Sequence, residues 1–176
     1  MADCIFCQIV EKKIPALVVY SDDDFLGFLD INPLSPGHTL LIPKRHIESI
    51  FDMPEELAEK VLKIAKAIAS NMKNIGATGV NLTNASGKSA EQAIPHFHLH
   101  IIPRKEGDEI NLNEYWQTKM KKIDPESMKE IAERIKTENI SEDVEKKSAE
   151  EKEKKPRSRR LKKEDAYWIK REIDLA

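Results

Sequence analysis

The chain has 176 residues, a formal net charge of −2 and 34% charged side chains. A chain of this length accommodates one domain with an appendage, burying roughly 70% of its unfolded surface without disulfide staples. The charge balance argues against a dedicated nucleic-acid binder or a protein drawn to anionic membranes, and no apolar run approaches the roughly 18 residues of a membrane span.

The N-terminus, "MADCIFCQIV", lacks the basic region and long apolar stretch of a secretory signal. Two close cysteines in an unexported chain point to a reducing cytoplasm, where they serve as ligands or redox groups rather than a structural disulfide. "ALVVY" (16–20) and "FLGFLD" (25–30) read as strands joined by the acidic turn "SDDD". "NPLSPGH" (32–38) is dense in turn residues, and "HTLLIP" (38–43) is a third strand stopped by Pro43. Pro54 marks a helix start, with Leu57, Val61, Ile64, Ala65, Ile68 and Met72 on one face and Gly76 or Gly79 at the end. "GVNLTNA" (79–85) is a fourth strand.

"PHFHLHIIPR" (95–104) is the fifth, bounded by Pro95 and Pro103. Alternation on a strand puts His96, His98 and His100 on one face, about 6.6 Å apart, and Phe97, Leu99 and Ile101 on the core face. The order predicts an α+β fold, a mainly antiparallel five-stranded sheet against one long helix. The character changes after residue 107, so 1–107 are expected to form one folded domain and 108–176 a charged, largely helical extension. In the extension, "DPESMKEIAERIK" carries a cap at Asp124 and an apolar face of Met128, Ile131 and Ile135. Residues 141–165 are mostly charge, expected as a solvated helix or tether, and "AYWIKREIDL" regains apolar character suited to docking. The basic run "KKPRSRRLKK" is flanked by acidic blocks and lacks interleaved aromatics, so nucleic acid is not expected as a partner.

Cys4 and Cys7 have the spacing of a metal knuckle, which two imidazoles would complete to a neutral Cys₂His₂ zinc site. Five histidines are available: His38, His46, His96, His98 and His100. A ligand at the end of the row leaves its other two members free for chemistry, which favours His96. His46, just past a strand end, can swing back to join it. Such a zinc would be structural, pinning the N-terminus to the sheet.

"FLDINPLSPGHTLLIPKRH" and "HFHLHII", with the leading "CIFC", resemble the histidine triad (HIT) superfamily of nucleotide hydrolases and transferases over roughly residues 4–104. The signature His-φ-His-φ-His-φ-φ, φ being apolar, is matched by residues 96–102. The resemblance implies that His98 attacks the α-phosphorus of a purine nucleoside phosphoramidate or dinucleoside polyphosphate, forming a nucleotidyl-histidine that water releases. It implies that His100 hydrogen-bonds the non-bridging oxygens and that His38 supports the row. It assigns structural zinc to Cys4, Cys7, His46 and His96. Asp30 would hold the ribose, Phe6, Phe28 and Ile31 would line the base pocket, and Asn84 would contact phosphate or ribose. A two-fold homodimer joined through the sheets is also implied. Transfer to an acceptor such as inorganic phosphate, a non-catalytic nucleotide scaffold and a metallohydrolase are the competing readings. Arg104, in "HIIPR", resembles the polyphosphate-cleaving branch. Where many members carry Ser or Thr, this chain has Ala93, leaving only its backbone N–H to donate. The loop "ASGKSAEQ" is also less glycine-rich than usual, and Lys88 within it would compensate by binding a distal phosphate.

Overall fold

The computed structural model describes residues 4–111, 118–120 and 123–137. The chain divides into two units, Met1–Lys121 and Lys122–Ala176. The first unit contains α1 (Ile5–Val10), β1 (Val18–Ser21), β2 (Phe25–Leu29), β3 (Thr39–Pro43), α2 (Glu55–Asn71), β4 (Gly79–Thr83) and β5 (Leu99–Arg104). Its five strands form one sheet in the order β1-β2-β3-β5-β4. Every neighbouring pair is antiparallel. The expected α+β architecture is therefore present.

The sheet divides its side chains by period-2 alternation. One face packs Phe25, Leu41, Phe97, Leu99 and Ile101 against Val61, Ile64, Ala65, Ile68 and Met72 of α2 and the turn after it. Gly27 permits this approach, because a Cβ there would lie 3.1 Å from Tyr20 Cβ and 3.3 Å from Ile68 Cδ1. The other face collects Phe28, Leu40, Ile42 and Leu26 under Phe6 of α1. His100 pairs with Leu40 across β3 and β5, so the histidine row belongs to this second face.

The acidic turn closes as expected. The Asp22 carboxylate accepts from the backbone N–H of Asp24 at 2.9 Å and of Phe25 at 2.6 Å. Pro54 precedes α2 in an extended conformation, φ −60° and ψ 143°, instead of occupying its first turn. α2 runs into a 3-10 turn, Met72–Ile75, that ends at Gly76 with φ 80°.

Three differences from the sequence reading matter. The hydrogen-bonded strand begins at Leu99, so His96 and His98 stand on the segment that leads into it. That segment is held by its own bond, Phe97 N–H to Ile47 O at 2.6 Å. The strand also continues through Pro103, which pairs with Val80, to Arg104. Pro103 lacks an N–H but keeps a carbonyl, and Ser35 Oγ donates to it at 2.6 Å. α1 was not expected: six residues carry too little periodicity to signal a helix, and its apolar side, around Phe6, is defined by the sheet it covers.

In the second unit, α3 (Pro125–Ile135) begins at the expected cap, with Asp124 Oδ1 accepting from Ser127 N–H at 2.9 Å. It buries none of its residues. The charged segment 141–165 and the terminal "AYWIKREIDL" lie outside the described residues. Among the described residues no helix is long and apolar enough to cross a membrane.

Candidate active site

Cys4 holds the N-cap position of α1 and Cys7 lies in its first turn, and both thiols meet His96. Cys7 Sγ is 3.3 Å from His46 Nδ1 and 3.7 Å from His96 Nδ1, and Cys4 Sγ is 3.5 Å from His96 Nδ1. All four donor atoms lie within 4.8 Å of one another. A tetrahedral zinc with ordinary Zn–S and Zn–N bonds separates sulfur from nitrogen by about 3.6 Å, so the donor set fits that ion. His96 is fully buried, and its Nε2–H donates to the carbonyl of Pro43 at 2.9 Å. A carbonyl can only accept, so the proton is on Nε2 and Nδ1 turns a lone pair toward the sulfurs. Burial, reinforced by the adjacent Cys4, pushes the Cys7 thiol up from its ordinary range, a cost that a bound cation would reverse.

His98 is set by the same logic with the nitrogens exchanged. Its Nδ1–H donates to the carbonyl of His96 at 2.8 Å, leaving the Nε2 lone pair free. Its own carbonyl accepts from Asn84 Nδ2 at 2.8 Å, and Asn84 Oδ1 accepts from Ser86 Oγ at 2.7 Å. The Phe6 ring packs edge to face with His98 and His96, centroids 5.4 Å and 5.7 Å apart. The nucleophile candidate is thus fixed from its backbone, its Nδ1 and its flank.

His100 lies 5.1 Å from His98, ring to ring. Its Nδ1 is 2.9 Å from His38 Nε2. Burial first, then the neighbouring His98 and His38, push the His100 imidazole down to about 4. Burial also lowers His38, against an opposing contribution from Asp30. Both rings are therefore neutral at pH 7. Asp30, His38 and His100 form a second cluster of potential ligands, but the two rings are hydrogen-bonded to each other rather than aimed at a common ion.

The remaining expected residues are distributed unevenly. Phe6 and Phe28 are buried, 5.9 Å apart edge to face. Ile31 is 86% exposed on the turn leaving Asp30. Asp30 Oδ1 accepts from Asn32 N–H at 2.9 Å, while Oδ2 points toward His38 at 3.8 Å. Ala93 and Lys88 are exposed on the loop before the histidine segment.

Arg104 is engaged within the chain. Nε and Nη2 fork onto the two oxygens of Asp108 at 2.6 and 2.8 Å, and Nη1 binds Asn81. The guanidinium holds the Asp108 carboxyl well below the usual carboxylate range. Spent in this way, Arg104 is not presented to a polyphosphate.

Gln92, to which the sequence gives no role, is the loop's clasp. Its Oε1 accepts from Gly87 N–H at 2.7 Å, and its Nε2 donates to the carbonyls of Glu48 at 2.7 Å and Ile94 at 3.0 Å. Only the fold brings Glu48 within its reach. The carbonyls of Pro43 and His96 were equally invisible, because every residue has one.

The family model described as HIT domain matches residues 11–107. The chain belongs to the HIT family. It is 46% identical over 123 residues to an uncharacterized HIT-like protein of Borreliella burgdorferi, covering 64% of this chain and 88% of that one. It is 36% identical to the adenosine 5'-monophosphoramidase hnt1 of Schizosaccharomyces pombe, covering 75% of this chain and 95% of that one. A Zn-bound histidine triad family protein of Mycobacterium smegmatis superposes with a TM-score of 0.61 at 39% identity, over 63% of this chain and 81% of that one.

Proposed function

We propose that this HIT protein is a nucleotide hydrolase that cleaves at the α-phosphorus of purine nucleoside phosphoramidates or dinucleoside polyphosphates through a covalent nucleotidyl-His98. One observation carries the reading: the Nδ1–H of His98 is committed to a backbone carbonyl at 2.8 Å, so the neutral ring turns the lone pair of Nε2 outward as a nucleophile that needs no separate base. In the first step that lone pair bonds to phosphorus. The bond from phosphorus to the leaving nitrogen or oxygen breaks, and the leaving group departs with its electron pair, neutralised by a proton from solvent. His100 donates to a non-bridging oxygen as charge grows there. Water then attacks phosphorus, losing one proton, and Nε2 recovers its lone pair as the nucleoside monophosphate leaves.

Asp30 is assigned to the ribose hydroxyls, Phe6, Phe28 and Ile31 to the base, and Asn84 and the Ala93 N–H to the phosphate edge. His38 supports His100. Phosphoramidates are the favoured half of the substrate class, on two grounds: the Arg104 fork is closed onto Asp108, and a similar protein is named a monophosphoramidase. Cys4, Cys7, His46 and His96 would hold a structural zinc, which ties α1 to the sheet. Residues 1–107 are taken as the catalytic domain and 108–176 as an extension. We also assign a homodimer, joined through the exposed edge strand β4. Val80 and Leu82 there, 40% and 42% exposed, border an apolar groove of about 380 Å³ with Leu62 and Ala69 of α2. Sedimentation of the protein and of Leu62→Glu tests the dimer, which the charge should dissociate.

The test of the chemistry is to supply adenosine phosphoramidate, diadenosine polyphosphates and inorganic phosphate in turn. Products are resolved chromatographically and acid-sensitive adducts sought by intact mass. Adenylate on His98 during turnover supports the reading; turnover with no adduct under rapid quench, and retained in His98→Asn, overturns it.

A further inference from the structure

His38 and His100 share one proton between Nε2 and Nδ1, 2.9 Å apart. Two directions are open to a neutral pair. If His38 Nε2 donates, then His100 Nδ1 accepts and His100 carries its own proton on Nε2, outward. If His100 Nδ1 donates, its Nε2 is a lone pair, repelled by a phosphoryl oxygen. Ring geometry is the same for both, so the choice falls to whatever faces the far nitrogen of His38.

Two groups face it. The peptide N–H of Leu34 lies 3.2 Å from His38 Nδ1, and Asp30 Oδ2 lies 3.8 Å from it. The first is within hydrogen-bond range and the second is outside it. A peptide N–H cannot accept. It therefore requires a lone pair on Nδ1, which puts the His38 proton on Nε2. The turn that carries Leu34 is itself anchored. Ser35 Oγ donates to Pro103 O at 2.6 Å, and His38 N–H donates to Ser35 O at 2.9 Å. Gly37, at φ 92°, leaves the space a Cβ would take from Ile75 Cδ1, 2.5 Å away. Leu34 is 58% exposed, so its place in the turn is not explained by burial of its side chain.

We propose that the Leu34 peptide N–H is a positioning group that locks the tautomer of the His38–His100 pair and makes His100 an obligate N–H donor at Nε2. Adjacent rings thereby present opposite faces to one phosphoryl group: a lone pair from His98 and a proton from His100. The inference rests on the nucleotidyl-transfer reading for its consequence, but not for its test.

The test is ¹⁵N NMR of the full chain labelled at the histidine ring nitrogens, without substrate. Protonated and lone-pair nitrogens resonate apart, so each tautomer is read directly. The expected result is Nε2–H on both His38 and His100, and Nδ1–H on His98. Leu34→Ala keeps the peptide N–H and should leave all three tautomers unchanged. Leu34→Pro removes it and should populate Nδ1–H on His100, with adduct formation slowed about tenfold or more at little change in KM, since one oriented donor to the oxyanion is lost. Asp30→Asn tests the rival direction without disturbing the turn: the lock predicts no change in the His100 tautomer. Nδ1–H on His100 in the wild type overturns the lock, and its loss in Asp30→Asn would assign the direction to the carboxylate instead; an unaltered tautomer in folded Leu34→Pro overturns the lock as well. If the tautomers are as stated and no substrate yields an adduct, the functional reading falls while the lock stands.

Discussion

One sheet has two faces that differ in kind. The face under α2 is dry and apolar, and its central residues Phe25, Leu41 and Ile101 are fully buried. The opposite face buries, beside the apolar cluster under Phe6, polar rings as well, His96 at 0%, His98 at 5% and His38 at 3% exposure. Burial is equally complete, but on the second face every ring must find partners, since a buried unpaired imidazole is costly. Those partners are backbone carbonyls, a peptide N–H, thiols and other rings. The first face specifies only shape and volume. The second specifies the position of each proton, and chemistry follows from that.

The comparison predicts that the faces can be damaged separately. His98→Asn should reduce turnover by a factor of ~10⁴ or more, with nucleotide affinity by calorimetry nearly unchanged. Ordinary turnover in that variant would show that the polar face does not carry the reaction. Leu41→Ala, fully buried on the dry face, should lose about 2–5 kcal/mol of stability in denaturant unfolding. Its kcat should stay within a few-fold at a temperature where it remains folded. A large kcat loss would mean that the faces are coupled.

Chelation, or Cys4→Ser with Cys7→Ser, should lower Tm on the order of 10 °C, with the loss tracking metal content. An unchanged Tm on stripping metal would deny the cluster a structural role. The smallest effect is a pH slope. His100 titrates near 4 when folded and near its ordinary value when unfolded, so the unfolded chain binds the proton first. The stability it contributes is complete above about pH 6.5 and is lost as pH falls toward 4. His100→Gln should flatten that part of the Tm profile, and equal slopes in the two proteins would remove His100 from it.

Most of the fold was legible because its signals are local and periodic. Apolar runs bounded by turn residues placed β2 and β3, alternation placed β5, helical spacing placed α2, and Asp124 marked the start of α3. α1 escaped notice because six residues make less than two turns. Pro103 misled because a missing N–H does not end a strand whose carbonyl side still has a partner. At the site, residue types were visible in the chain, since thiols and imidazoles at tight spacing have few other uses. The engagement of Arg104 with Asp108, and the clasp made by Gln92, were not.

The sequence by itself determined which side chains share a face and which could bind a metal, because those follow from period, spacing and residue chemistry. Tertiary structure alone decided where each proton sits: the carbonyls of Pro43 and His96 and the N–H of Leu34 select the tautomers. The reason is physical. Backbone donors and acceptors are the same in every residue, so which of them meets an imidazole depends only on how the chain is folded.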